Sequence, residues 1–461
     1  MTETPTTETL LPSEQRRNVL FVALDGAAIG LMSAASSFVS VLVIRLGAPA
    51  LWVSLLSSIP SAIALVMTIP WSQLAERTTR PQRTWAFSRL AVHVVYPLVA
   101  IVPLVLPDPA AARLIVVIWS LSALPGSLSN MMFTLTMGNA VPPDKRAFLM
   151  SRRWTVLGVA QLVALPLISQ LIEQLPLPVG YQIAFGINAV IAVLAFLCAK
   201  QLRVPEHAPP PRAARQPLWA SVREQAREVW QAKPFLTFIG GRAILNLGLA
   251  LVSALIPIYW VNHLKASDAW VGYLNAALSA ATLVSYLPWT RVKRRFGARW
   301  VLIPSVAGTA LYPALLSLAR TPAAVLPAIV FNGLAGSGLN LAFFDALFEV
   351  CPPGKQARFV AINMTVLYLM GVVGPPIGAA LVRWMPIQAV LVIGTGIALL
   401  GTLVFGYSAF QTGIRARVQA SREMASRLAA RARHPRPHPA ALSQEQKDID
   451  REETQHPPAD H

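Results

Sequence analysis

The sequence predicts an all-α membrane protein of 12 transmembrane helices, arranged as two pseudo-symmetric six-helix bundles. Three observations predict it. The 461 residues are 54% hydrophobic and only 13% charged, against about 25% charged in a soluble domain. The apolar residues collect in runs of roughly 20, the length that crosses a hydrocarbon core as a helix. The chain also repeats itself. Pro70-Trp71-Ser72-Gln73-Leu74-Ala75-Glu76-Arg77 returns as Pro288-Trp289-Thr290-Arg291-Val292-Lys293-Arg294-Arg295. Gly126-Ser127-Leu128-Ser129-Asn130 returns as Gly336-Ser337-Gly338-Leu339-Asn340, and Pro142-Pro143-Asp144-Lys145 as Pro352-Pro353-Gly354-Lys355.

Taken in order, the apolar runs cover 18–44, 48–70, 86–106, 111–137, 154–173 and 179–199, then 236–261, 268–289, 299–318, 322–348, 359–381 and 386–408. The first follows a polar stretch, Met1 to Arg17, and is too long for the apolar region of a signal peptide. The expected organisation is an N-terminal segment 1–17, a first bundle 18–200, a linker 201–235, a second bundle 236–410 and a tail 411–461. The linker contains the extended spacer Pro209-Pro210-Pro211. From Pro217, the residues Trp219, Val222, Ala226, Val229 and Trp230 recur at helical spacing, which predicts an amphipathic helix on the membrane surface. The tail is basic through Arg436 and then mixed; beyond Pro435 its composition predicts disorder.

A net charge of +18 invites a nucleic-acid reading, but the placement of the charge excludes it. With the N-terminus inside, 33 of the 39 Lys and Arg fall on that side, including Arg77, Arg80, Arg83 and Arg89 after the second run and Lys145, Arg146, Arg152 and Arg153 after the fourth. Five fall outside: Arg45, Arg113, Lys265, Arg320 and Arg383. This bias places both termini in the cytoplasm, as expected for a plasma or inner membrane protein. Trp52, Trp260, Trp270 and Trp384 near one set of ends, and Trp71, Trp85, Trp154, Trp289 and Trp300 near the other, form the matching aromatic belts. Cys198 and Cys351 have neither metal nor redox spacing and read as reduced structural thiols.

Six plus six spans, a long central loop and inside termini resemble the major facilitator superfamily. The loop after the second run carries the more specific sign. That family has a motif of the form G-x-L-A-D-R-x-G-R-[KR] there. Leu74, Ala75, Arg77 and Arg80 match it, Glu76 replaces the Asp, and Ser72 and Thr79 replace both glycines. The second copy, from Thr290 to Arg299, keeps Arg295, Gly297 and Arg299 and has Arg294 at the acid position. The resemblance covers 18–410 and implies that family's fold, alternating-access transport and monomeric state. It also implies that Glu76 and Arg77, with Arg80 nearby, hold a cytoplasmic gate. The Gly-Pro-rich signature of the family's drug/proton antiporters is absent from the fifth run. Gly371-Val372-Val373-Gly374-Pro375-Pro376-Ile377-Gly378 in the eleventh is a candidate hinge or a close-packed contact.

An ionisable residue inside a span is costly unless paired or hydrated, so it is the first functional candidate. Asp25 lies eight residues past Arg17, about 12 Å along the first helix. Arg242 lies eight past Pro234 in the seventh, which is the equivalent helix. The two are expected to face a central cavity and to pair, or nearly pair, across the seam in one state. Protonation of Asp25, or an anionic solute on Arg242, would then shift the balance between states. The competing expectation is a fixed pair or gate near the cytoplasmic mouth. Asn246 shares the face of Arg242, and Asn130 and Asn340 are repeat partners; all three are candidates for a cavity or for interhelical bonding. Asp345 and Glu349, one turn apart, are candidates for the cytoplasmic gate. His93 reads as a hydrogen-bonded histidine.

No run of the form G-x-x-x-x-G-K-[ST] binds ATP, and no His, Asp or Glu cluster has metal or nucleophile spacing. The expected function is therefore a gradient-driven secondary transporter of a small organic solute, coupled to protons, with a lean to efflux or exchange. No cofactor, metal, enzymatic activity or nucleic-acid partner is expected. The alternative is a membrane sensor or assembly factor that kept the fold and lost transport.

Overall fold

In hydrocarbon each peptide N–H and C=O must find its partner within the protein, and a helix supplies all of them locally. The computed structural model of the chain describes residues 11–204, 227, 230–351 and 356–407. Among these it is built of helices: α1 Pro12–Arg45, α2 Ala50–Arg77, α3 Pro81–Val105, α4 Asp108–Asn139, α5 Arg146–Gln174 and α6 Val179–Lys200. The second half follows with α7 Lys233–His263, α8 Asp268–Phe296, α9 Ala298–Ser317, α10 Leu326–Val350, α11 Gln356–Leu381 and α12 Ile387–Tyr407. Eleven are long and apolar enough to span a membrane. The twelfth, α8, has the length at 29 residues but carries Lys293, Arg294 and Arg295 in its last turn. The expected linker helix at 217–230 and the tail lie outside the described residues, apart from Arg227 and Trp230.

Two element boundaries move for local reasons. Helix α1 starts at Pro12, where Pro suits a first turn, and Glu14 returns to accept from the Leu11 N–H at 3.1 Å. Helix α1 also breaks at Ser37–Phe38. There Ser36 and Ser37 donate their hydroxyls to the carbonyls of Met32 and Ser33, at 2.8 and 3.0 Å, a competition with the helical ladder that bends helices. The loops after α2 and α8 use different backbones. Gly297 has φ +93°, a conformation that favours glycine. Its counterpart Thr79 sits in a bend without a positive φ and needs no glycine.

The internal repeat is a packing unit. Trp71 of α2 donates its indole N–H to Ser127 Oγ of α4 at 3.0 Å, and Trp289 of α8 donates to the Leu334 carbonyl of α10 at 2.7 Å. The duplicated Pro-Trp and Gly-Ser segments therefore touch each other within each half. The halves meet at two equivalent places, α2 against α11 and α5 against α8. Both contacts set a glycine on a serine. A Cβ at Gly371 would lie 2.6 Å from Ser61 Oγ, and one at Gly272 would collide with the Ser169 side chain. The glycines of α11 thus serve close packing, and α11 runs unbroken through Pro375 and Pro376.

The apolar core shows how the seam is closed. One cluster draws residues from both halves, among them Phe38, Val43, Leu46, Trp260, Val261, Leu264 and Val271, all at the ends of α1, α7 and α8 far from the N-terminus. At the opposite end the clusters separate. One holds Val22, Trp85, Met132 and Leu149 of the first half; the other holds Phe235, Phe238, Leu347 and Phe359 of the second. The molecule is sealed at one end and parted at the end bearing the basic loops.

Candidate functional site

Asp25 is fully buried in α1, and its partners are Arg89 of α3 and Arg153 of α5. Arg153 Nε lies 3.2 Å from Asp25 Oδ2, and an Arg89 guanidinium nitrogen contacts Asp25 Oδ1. Both arginines are nearly as buried, at 4% and 6% exposure. A lone carboxylate at this depth would be prohibitive, and a closely paired one is tolerable. Two guanidiniums on one carboxylate leave the cluster with a net positive charge. Aromatic faces take up the remainder: Arg89 lies over Trp85 at 5.3 Å and Arg153 over Phe133 at 4.4 Å. Arg89 Nε also points at His93 Nε2 at 3.4 Å. His93 stacks on Tyr96, whose hydroxyl meets Ser36 Oγ at 2.9 Å beside the break in α1. A chain of contacts, polar except for the His93–Tyr96 stack, therefore runs from Asp25 to that break.

Arg242 is not part of this cluster. The expected pairing of Asp25 with Arg242 is absent from this conformation: Asp25 is satisfied within its own half. Arg242 lies over the Phe343 ring at 4.0 Å, its Nε is buried without a hydrogen bond, and no carboxylate pairs with it among the described residues. Asn246 donates to the Arg242 carbonyl at 2.7 Å, a bond along its own helix. Asn130 and Asn340 are both exposed on α4 and α10. Reading by span boundaries missed Arg89 and Arg153, which it assigned to the loop ends. The signal was available: a lone Asp in a span demands a cation at similar depth, and Arg89 falls inside the apolar run 86–106.

The sealed end carries a cross-seam latch. Arg45 at the end of α1 places Nε 3.0 Å from Asp268 Oδ1 of α8 and donates through Nη2 to the Ala266 carbonyl at 3.0 Å. Tyr181 of α6 donates to the same Asp268 oxygen at 2.5 Å. Glu173 accepts from the Ala269 N–H at 3.2 Å, and Gln170 donates to the Tyr273 hydroxyl at 2.5 Å. Arg45, Glu173, Tyr181, Lys265 and Asp268 surround a polar cavity of about 380 Å³. At the parted end the pairs formed among the described residues stay within one half. Asp345 pairs with Lys293 at 2.6 Å, Glu349 with Arg299 at 3.3 Å, and Glu14 with Arg203 at 2.9 Å. Arg77 is exposed at the end of α2, and Arg80 stands just before α3, accepting at its carbonyl from Arg83 and Thr84. The side chain of Glu76 lies outside the described residues.

Two overlapping stretches, 20–263 and 238–443, match the sequence profile of the Major Facilitator Superfamily. The chain belongs to that family. It is accordingly a multi-pass membrane protein of a transporter family. Over 138 residues it is 30% identical to the tetracenomycin C resistance and export protein of Streptomyces glaucescens, covering 30% of this chain and 26% of that protein. Over 182 residues it is 25% identical to autophagy-related protein 22-2 of Aspergillus oryzae, covering 36% and 30%. The chain thus spans less than a third of the length of these curated relatives. Among solved structures, the nucleoside transporter NupG superposes with a TM-score of 0.62 at 13% identity, over 86% of this chain and 98% of that one. A bacterial homologue of the iron transporter ferroportin, in an inward-facing state, superposes with a TM-score of 0.64 at 14% identity, over 87% and 100%. At such identities the likeness concerns the fold alone.

Proposed function

We propose that this transporter moves a small organic solute by alternating access, coupled to protons, with the basic end in the cytoplasm. The observation that carries the reading is the seam. One end is closed by an apolar cluster and a latch made from both halves, while the other end has separate cores and, among the described residues, ion pairs that each lie within one half. A body held shut at one end and parted at the other is one of the two states that rocking halves exchange. The positive-inside bias orients this state as inward-facing. Both sides of the seam come from one chain, so a monomer suffices.

Proton coupling is assigned to the Asp25 cluster. In the present state two guanidiniums hold the carboxylate. Motion of α3 or α5 that withdraws one of them would let Asp25 take up a proton, because a buried carboxylate without a cation resists charge. Arg242, half-buried, cationic and without an acid partner among the described residues, is the complementary group for a solute bearing a carboxylate. Asn130 and Asn340 would contribute neutral hydrogen-bonding groups from equivalent helices. The direction is assigned to efflux or exchange, in keeping with the sparse fixed charge of the spans and with relatives such as the efflux pump azaK of Aspergillus niger.

The test is proton movement in proteoliposomes, wild type against Asp25→Asn, across anionic, neutral and cationic solutes. Solute-dependent proton flux that Asp25→Asn abolishes is the expected result. Flux that survives the substitution would remove the proton from Asp25, and solute movement without proton movement would remove coupling altogether.

A further inference from the structure

A second pocket of about 450 Å³ opens at the parted end, between the first turns of α1 and α5. Its walls are Arg16, Lys145 and Arg152, with Val19, Leu20, Val141 and Phe148. Three cations converge on one recess. Lys145 is held there by Gln15, whose side-chain oxygen accepts from Nζ at 2.9 Å. Neither Arg16 nor Arg152 has an acid partner among the described residues. Neighbouring cations at the same end differ in this respect, since Arg203, Lys293 and Arg299 each have a carboxylate. A topological excess of Lys and Arg explains the sign of this surface. It does not explain why three of them line one pocket with no counter-charge, where like charges repel unless an anion joins them.

The apolar side of the pocket adds the second constraint. Leu20 and Phe148 are 53% and 60% exposed. Phe148 is also the first residue of the apolar span of α5. The recess therefore lies where hydrocarbon gives way to headgroups, with cations on the water side and bare apolar side chains on the other. The start of α5 lies against it, adding the positive end of a 29-residue helix through Lys145 and the first turn.

We propose that this pocket binds a phosphate group, of the kind that an anionic phospholipid headgroup presents. The guanidiniums of Arg16 and Arg152 take the phosphate oxygens, in the geometry that suits planar donors. Lys145 adds a third charge, and Leu20 and Phe148 meet the acyl chains. Arg152, exposed, is the chain neighbour of the buried Arg153, but the pocket does not depend on the transport reading. It requires only that the helices span a membrane.

The experiment uses the full-length protein in phosphatidylcholine nanodiscs containing phosphatidylglycerol, with the retained lipid counted by native mass spectrometry after detergent exchange. Wild type should retain phosphatidylglycerol over phosphatidylcholine. Arg16→Gln and Arg152→Gln should each lower that retention about fivefold, the worth of one cation near an anionic surface. Arg299→Gln, at the same end of the other half, should leave it unchanged. An excess of inorganic phosphate that fails to displace the lipid identifies the phospholipid as the source. Displacement by phosphate alone, lost in the same two variants, assigns the site to a free phosphate compound. Equal retention in wild type and both arginine variants, or equal loss in Arg299→Gln, overturns the proposal. Arg16 and Arg152 are exposed, and an unchanged melting temperature confirms that the variants fold.

Discussion

The latch at the sealed end should set how long the transporter stays in the state described here. In Asp268→Asn the side chain keeps its volume and an oxygen that can accept from Tyr181. It loses the charge that faces Arg45 across 3.0 Å. Two unit charges at that distance attract by about 5 kcal/mol at an effective dielectric of 20. Arg45 is 26% exposed, and desolvation offsets much of that attraction. A hydrogen bond to a charged group is worth roughly 1.5–3 kcal/mol net, so about 2 kcal/mol is a fair figure for the loss. That corresponds to about a 30-fold rise in the population opened at this end relative to the closed one. Ala266 reports the change directly, since it is 2% exposed and sits within the cluster that joins the halves. With Cys198 and Cys351 replaced by serine, an Ala266→Cys reporter should react slowly with an impermeant maleimide. Adding Asp268→Asn should raise that rate about 30-fold if opening limits labelling. An unchanged rate would refute the reasoning: the apolar cluster alone would then close the seam.

Further outcomes follow from the same geometry. Asp25→Ala leaves Arg89 and Arg153 buried beside each other without an anion, which should cost about 3–5 kcal/mol and appear as a lower melting temperature in detergent. Pairing it with Arg153→Met should restore part of the loss, and the absence of any restoration would argue against a shared charge cluster. Gly272→Val drives a branched side chain into Ser169 across the seam and should cost about 1–3 kcal/mol or more; adding Ser169→Gly should recover thermal stability. Asn130→Ala and Asn340→Ala, at exposed equivalent sites, should leave the stability within about 0.5 kcal/mol of wild type. If these residues line the solute path, initial-rate measurements should show a raised KM for solute uptake.

Much of the fold was legible because the physics of hydrocarbon allows so few solutions. Apolar run lengths located the helices to within a few residues at most ends, and the repeat predicted two equivalent halves. The indole bonds of Trp71 and Trp289 explain why the repeated segments come in pairs. Other features were not legible. The early start of α1 depends on Pro12 and Glu14 acting on a stretch whose composition reads as polar tail. The partners of Asp25 were hidden because Arg89 and Arg153 stand near span ends, where a positive charge is ordinarily topological. Only packing decides that both turn inward. The latch was out of reach for the same reason: Arg45, Tyr181 and Asp268 are far apart in the chain, and each taken alone is an unremarkable residue at a span end.

The distribution of buried charge between the halves argues for a division of labour. The scaffold is nearly symmetric: glycine on serine at both seams, an indole bond in both halves, and an exposed asparagine at the same place on α4 and α10. The charges break that symmetry. Asp25 in α1 has two cations, whereas the equivalent depth of α7 holds one cation and no acid. A symmetric duplication would have produced two similar centres, each able to neutralise itself. Instead the first half holds a carboxylate that is already neutralised and more, and the second holds a cation with no counter-ion among the described residues. Under the transport reading, a carboxylate-bearing solute would complete the second centre while leaving the first intact. A proton would act on the first only after one of its arginines has moved. Solute and proton would then be read by different halves of one body, and the rigid seam contacts would couple them.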